Sequence, residues 1–241
     1  MNIQPNASDS NTGMARPGIP LPDDALILLP VRNTVLFPGA MVPLSLGRRR
    51  SIAAAQEAAR SDRPIGIIQQ RDSTVDDPSE TGMFHVGTAA SVLRYVTAPD
   101  SSHHVICQGQ QRFRVKEFIS GYPFFVARVE YLLDEDEQTP AIEARMHHLK
   151  RELTAAMELL PQSSPEVAGT IQSLTSGSAL ADSVASIIDL KPTEKQEILE
   201  TLDVQVRLEK VAAQLAHRVA VLRLSQDIEK QTKSAMEKHQ R

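Results

Sequence analysis

The spacing of hydrophobic positions changes near residue 134, and the change divides the chain in two. Before that point apolar residues come in short runs or alternate with polar ones. ALILLP at 25–30, MVPLSL at 41–46, PIGIIQQ at 64–70, FHVGTAASVLRYVTAP at 84–99 and HHVICQG at 103–109 read as strands. The last two are joined by a turn at 99–102. Alternation is clearest in QRFRVKEFI at 111–119, where Phe113 and Val115 oppose Arg112, Arg114 and Lys116, and in FFVARVEYL at 124–132. A period of two places apolar side chains on one face of a half-buried strand. Pro43 suits an edge strand or a bulge, because it has no N–H for a ladder. One Ala-rich segment, GRRRSIAAAQEAARSDRP at 47–64, predicts a helix with Ile52, Ala55 and Ala59 on one face. Seven strands and one helix predict a small closed or nearly closed barrel.

After Asp134 the apolar steps become three and four. Ile142, Met146, Leu149, Leu153, Met157 and Leu160 form one helical stripe. Ser164 is the predicted cap of a second helix with Pro165 at its first position. SALADSVASIIDL makes a third and EKQEILETL a fourth, separated by Lys191-Pro192-Thr193. Asp203 caps a long run with a stripe at Val204, Leu208, Val211, Leu215, Val219 and Leu222. Beyond Leu224 the helix formers continue but the stripe stops. About 37 residues of helix span roughly 55 Å. Its polar end predicts either a partner or a chain that continues. The expected fold class is therefore α+β: a β-rich domain over 25–133, an all-helical subdomain over 139–241 with its long helix from about 203, and a disordered polar tail at 1–24.

Composition narrows the function classes. Hydrophobic residues are 41% and charged residues 23% of 241, enough for a packed core. Aromatics are 4% with no Trp, and the net charge is −4. Base stacking and phosphate steering both want the opposite, so nucleic acid is not an expected partner. The single Cys107 cannot form an internal disulfide. It is a small buried hydrophobe or a reactive thiol, and no flanking Lys or Arg favours the thiolate. A reducing compartment agrees with this usage. No signal-peptide segment and no run of about 18 apolar residues is present, so no membrane span is expected.

Catalytic motifs are missing. There is no P-loop, no G-x-S-x-G and no H-E-x-x-H. His103-His104 and His147-His148 are neighbours that diverge on a strand or a helix, so surface roles fit them better than one metal. The acidic run from Asp134 to Glu137 reads as a solvated linker. Arg48-Arg49-Arg50 either splay into solvent, pair with acids or bind phosphate. Cations at a helix N-terminus oppose the macrodipole. A binding or assembly module is expected, with no catalytic residue, metal or cofactor.

One stretch breaks the usual rule for loops. LILLPVRNTVLFPGAMVPLSLGRRR at 26–50 carries Val35, Leu36, Phe37 and Met41 around Pro38-Gly39. Loops normally show polar residues to solvent. This one either folds back onto a core or touches a partner.

The same stretch resembles the opening of the Lon protease N-terminal domain, with its Leu-Pro-x-Arg-x-x-x-x-Phe-Pro-Gly core. VGTAASV at 86–92, GQQRFRV at 109–115, GYPFFVARVEYL at 121–132 and LKPTEKQEILETLDVQVRLEKV at 190–211 resemble later pieces of that domain in the same order. AMEKHQR resembles the helix before the family's ATPase module. The resemblance implies a β-rich, PUA-like pseudo-barrel followed by a helical subdomain. It implies recognition of unfolded or damaged proteins, and help in assembling a hexamer. The ATP, Mg and Ser-Lys chemistry of an ATP-dependent serine protease belongs to parts not in this sequence. A stand-alone adaptor of the cereblon-like kind, binding a small ligand or one protein partner, is the alternative. One cysteine cannot supply the zinc site such an adaptor would want. Leu36, Phe37 and Met41, with Met83 and Phe84 across the barrel, are the candidate substrate contacts, since unfolded chains expose apolar side chains and Met adapts to varied partners. The competing expectation is that Leu36 and Phe37 plug the barrel end.

Overall fold

The computed structural model describes residues 20–135, 137–159 and 165–239. Six strands come first: β1 (Ala25–Val31), β2 (Met41–Leu46), β3 (Ile65–Gln69), β4 (Val86–Thr97), β5 (His103–Phe118) and β6 (Phe125–Tyr131). One helix, α1 (Arg49–Ser61), interrupts them. Five helices follow: α2 (Pro140–Glu158), α3 (Pro165–Gln172), α4 (Gly177–Ile187), α5 (Pro192–Glu200) and α6 (Val204–His239).

The strands lie in the order β2-β5-β4-β3-β1-β6, and β5 also pairs with β6. That second pairing closes β1, β3, β4, β5 and β6 into a barrel and leaves β2 outside the ring. Among the described residues only β1 and β3 run parallel. Closure removes the edges of the five ring strands, which would otherwise invite aggregation, and leaves β2 with one unpaired edge. Leu26, Leu28, Ile68, Ala89, Phe113 and Ala127 come from all five ring strands and pack together as the barrel interior. The opposite face of β1 and β3 packs Ile27, Leu29, Ile65 and Ile67 against Ala54, Ala55 and Ala58 of α1. β1 and β3 are thus buried on both faces, which is why they read as unbroken apolar runs.

Two expectations need correction. HHVICQG and QRFRVKEFI are one strand, not two. Gly109 pairs with Ala90 and Gln111 with Ala89, so Gln110 is an extra residue in a bulge. The bulge bends β5 so that its first half pairs with β2 and its second half with β6. The buried face of α1 is Ser51, Ala54, Ala55 and Ala58; Ala59 is exposed.

The helical half follows its stripes. Ile142, Met146, Leu149 and Leu153 of α2 are buried against Val204, Leu208, Val211, Leu215 and Val219 of α6, with Leu180, Ala181 and Val184 of α4 beside them. Capping starts these helices. The Thr139 side chain accepts from Ile142 N–H at 3.2 Å and Ser176 from Ala179 N–H at 3.0 Å. Asp203 accepts from Val206 N–H at 3.0 Å, as its position predicts. Leu160 and the Ser164 cap lie outside the described residues. So does the expected tail as far as residue 19. Its last residues do not behave as a tail: Pro20 accepts from Tyr122 Oη at 3.1 Å, and Asp24 accepts from Arg128 Nε at 3.0 Å.

Candidate functional site

The loop between β1 and β2 folds back. Gly39 donates to Gly109 O at 2.9 Å, Gly109 donates to Ala40 O at 2.8 Å, and the Thr88 hydroxyl donates to Leu36 O at 2.6 Å. Gly39 takes φ 80°, the left-handed region open to glycine. These bonds lay the loop over the β5 bulge. A Cβ at Gly109 would sit 2.3 Å from Phe37 O.

The loop's apolar residues go to different cores. Leu36 joins the cluster under α1, and Phe37, with no exposed surface, joins the helical cluster beside Val86 and Leu132. Leu36 and Phe37 are therefore corrected as substrate contacts, because both side chains are buried in the protein's own cores. Met83 is corrected for the same reason: it lies wholly inside the barrel core. Phe84 is half-buried, with the Arg71 guanidinium 4.5 Å above its ring centroid. Met41 alone of the five stands out, 65% exposed.

Met41 has neighbours that sequence reading missed. Pro43 lies two residues on, on the same face of β2, and is exposed. Ile106 of β5 is paired with Pro43 and is also exposed. Cross-strand neighbours on one face touch, so Met41, Pro43 and Ile106 make an apolar patch on the outer sheet face. The alternation of β2 carried this signal, since Val42, Leu44 and Leu46 turn inward. Beside Met41 a cavity of about 290 Å³ opens between the loop and the α4–α5 corner, lined by Val35, Val42, Ser186, Leu190 and Lys195. Burial pulls the Lys195 ammonium below its ordinary value, against the charge of Asp189.

Four charged residues tie the barrel to the helices. Arg112 of β5 donates to both oxygens of Asp182 on α4, at 2.8 and 2.6 Å. Arg207 of α6 donates to Asp134 Oδ1 at 2.6 Å, and Arg112 reaches Asp134 Oδ2 at 3.2 Å. Ser178 also donates to Asp134. Arg112 Nε donates to Leu199 O at 2.9 Å, and Gln196 Nε2 to Val86 O at 3.0 Å. Arg112, Asp182 and Arg207 are at most 1% exposed. Asp134 is thus no solvated linker residue; it is held at the junction of β6, α4 and α6. Glu135 and Glu137 line a separate surface hollow, and Asp136 lies outside the described residues.

The remaining candidates for chemistry have structural partners. His103 Nδ1 lies 2.6 Å from Tyr95 Oη, and His104 Nδ1 lies 3.1 Å from Ser45 Oγ. Arg48 donates to Gln70 Oε1 at 2.8 Å. Cys107 is buried, and burial pushes its thiol up to about 11, which disfavours a nucleophilic thiolate.

Comparison with known proteins places this arrangement. Residues 25–217 match the family described as the ATP-dependent protease La (LON) substrate-binding domain. The chain is 48% identical over 218 residues to the Lon protease of Methylocella silvestris, covering 90% of this chain and 27% of that protein. It is 45% identical over 222 residues to the Lon protease of Phenylobacterium zucineum, covering 92% of this chain and 28% of that one. The chain therefore spans little more than a quarter of these relatives. Its fold is that of the N-terminal domain of a Mycobacterium avium complex Lon protease, with a TM-score of 0.68 at 24% identity over 80% of this chain and 98% of that one. A Lon N-terminal domain protein from Xanthomonas campestris gives a TM-score of 0.57 at 20% identity, covering 78% of this chain and 97% of that one. A pseudo-barrel clasped to a helical bundle that ends in a long helix, matched over this length, places the chain in the Lon substrate-binding domain family.

Proposed function

We propose that this chain is the substrate-recognition and assembly region of an ATP-dependent Lon serine protease. It selects unfolded or damaged polypeptides in the cytoplasm for ATPase and protease modules that this sequence does not contain. It performs no catalysis and takes no cofactor itself. Among the described residues no helix is long and apolar enough to cross a membrane.

The observation that carries the reading is the exposed patch of Met41, Pro43 and Ile106. Unfolded chains differ from folded ones by their exposed apolar side chains, and a small exposed apolar patch captures them weakly. Repetition of the patch around a hexamer sums weak contacts into useful affinity. The far end of α6, where Leu224 and Ile228 are exposed, carries this unit toward neighbouring subunits and the motor.

A direct test titrates the chain into one labelled protein held either folded or permanently unfolded, and follows anisotropy. The unfolded form is expected to bind more tightly, and Met41→Asp or Ile106→Asp to weaken that binding without changing the melting temperature. Equal binding of both forms, or no effect of either substitution, would overturn the reading.

A further inference from the structure

β1 and β2 do not pair with each other. The gap between them is a cavity of about 590 Å³ whose walls include Arg32, Thr34, Ser45, Arg48, Ser51 and Asp76. The 13-residue helix α1 begins at this cavity. Its N-cap, Arg48, makes no side-chain cap bond, and its first turn contains no acid. Ile52 N–H donates to Arg48 O, so the amides of Arg49, Arg50 and Ser51 are the orphan donors of the helix start. Ser51 is a second and independent sign. It is 6% exposed, it lines the cavity, and its hydroxyl has no partner among the described residues.

The charges here are incompletely matched. Arg48 is bonded to the neutral Gln70, at 2.8 Å. Arg32 is paired with Asp76 at 2.8 Å, but the Asp76 side chain is 97% exposed, and such pairs are weak. Burial, then the neighbouring Arg32 charge, pulls the Arg48 guanidinium below its ordinary value, against the opposing charges of Asp77 and Asp76. Two guanidiniums, a free hydroxyl and the positive end of a helix thus face one cavity whose lining holds a single acid.

The other wall is a strand edge. Gly109 N–H donates to Ala40 O, and the register pairs Val42 with Cys107 and Leu44 with Val105. Alternation along an antiparallel ladder then turns the main-chain groups of Pro43 and Ser45 away from β5 and toward the gap. An unpaired edge accepts an extended peptide.

We propose that this groove binds an extended polypeptide segment by a carboxylate, with the peptide backbone along the β2 edge and the carboxylate at the start of α1. The inference rests on the reading of the chain as a selector of polypeptides and names the feature it selects. A carboxylate accepts from the α1 amides, the Ser51 hydroxyl and Arg48 together. A phosphate would use the same donors but not the strand edge, and its second charge would meet Asp76.

The test uses the whole chain and a short labelled Ser/Thr/Val peptide in two forms, one ending in a free carboxylate and one in an amide. Amidation is expected to cost about tenfold in affinity, the worth of one charge-assisted hydrogen bond. Arg48→Gln and Ser51→Asp should each abolish the difference between the two forms. Ser51→Asp supplies the site with its own carboxylate at a position that suits a helix start, and circular dichroism shows that both variants fold. Met41→Asp should leave the carboxylate preference intact. Equal binding of the two peptide forms, binding of neither, or a preference that survives both variants would overturn the proposal. So would competition by inorganic phosphate alone with no carboxylate preference, which would mark an anion site unrelated to peptides. A carboxylate preference without any preference for unfolded protein would instead sink the apolar-patch selector and leave this groove standing.

Discussion

Asp182→Ala removes one of two acids from a cluster that also holds two arginines. The four residues are neutral as a set. After the substitution Arg112, at 1% exposure, and Arg207, at 0%, share the remaining carboxylate of Asp134, which is 21% exposed. One positive charge is then left without a partner in the interior. Arg112 loses bonds of 2.8 and 2.6 Å, and Arg207 loses a longer one of 3.5 Å. Breaking a buried pair from one side costs about 3–5 kcal/mol. In a chain of this size that lowers the melting temperature by roughly 6–20 °C. Urea denaturation followed by far-UV circular dichroism measures it, since the helical half dominates that signal. The second arm is the paired variant Asp182→Leu with Arg112→Met, which restores neutrality and leaves the Arg207–Asp134 bridge. It should recover at least about half of the loss, because replacing a whole buried ion pair by apolar residues is often neutral. A loss below about 1 kcal/mol in the single variant, or a paired variant no better than the single one, would refute the assignment of an interior charge clasp.

The cluster also sets an acid limb. Burial pushes the Asp134 carboxyl up, but the bonds from Arg207 and Ser178 and the charges of both arginines outweigh it and hold the group below its ordinary 3.8. A depressed carboxyl contributes stability that is present above the unfolded value and lost as the pH falls through the folded one. Asp182, pushed up by burial, works in the opposite direction. Asp134→Asn should therefore flatten the loss of stability below about pH 4, as denaturation across a pH series would show; an unchanged acid limb would count against it. Gly109→Ala places a Cβ 2.3 Å from a backbone oxygen and should cost about 1–3 kcal/mol in urea denaturation. Gly169→Ala in α3, where a Cβ meets nothing within 4 Å, should be neutral or stabilising and serves as its control. Removing residues 225–241 should change the melting temperature by no more than about 2 °C, because α6 buries little beyond Val219 among the described residues. A larger loss would show that the polar end packs on its own chain.

Much of this fold is legible in the pattern of apolar residues. Unbroken apolar runs mark β1 and β3, which are buried on both faces, period two marks the second half of β5 and β6, and steps of three and four mark α2 and α6, because packing against a core enforces each pattern. The errors have local causes. Gly109 next to an extra residue looks like a turn, yet a bulge carries the strand through it. In α1 the faces through Ala55 and Ala59 and through Ala54 and Ala58 are equally small, so spacing alone cannot choose between them. The clasp was partly readable. Arg207 falls three after Val204 and four before Val211, and so on the apolar face of α6; Asp182 lies between Ala181 and Val184, also on a buried face. A charge on a buried face calls for a buried partner. Which partner it finds depends on the crossing of α4, α6 and β5, and no local pattern holds that. The loop at 32–40 was ambiguous for a similar reason, since an apolar loop looks the same whether it meets a partner or its own core.

That loop bears on how the two halves respond to load. Leu36 packs in the cluster that contains Cys107, while the adjacent Phe37 packs in the helical cluster. Neighbouring residues thus anchor in different cores, and the charge clasp joins the same two bodies. A barrel and bundle coupled in this way should unfold together, although their sequences have different periods. Phe37→Ala empties a fully buried site and should cost about 3–5 kcal/mol. Cys107 reports the barrel, because its buried thiol, pushed up to about 11, is reached only when the barrel opens. Thiol labelling along a urea series should give the same midpoint as circular dichroism, which reports the helices. In Phe37→Ala both midpoints should fall by the same amount. If labelling shifted while the helical signal stayed, the two halves would be separate units, and Phe37 would serve only the barrel end.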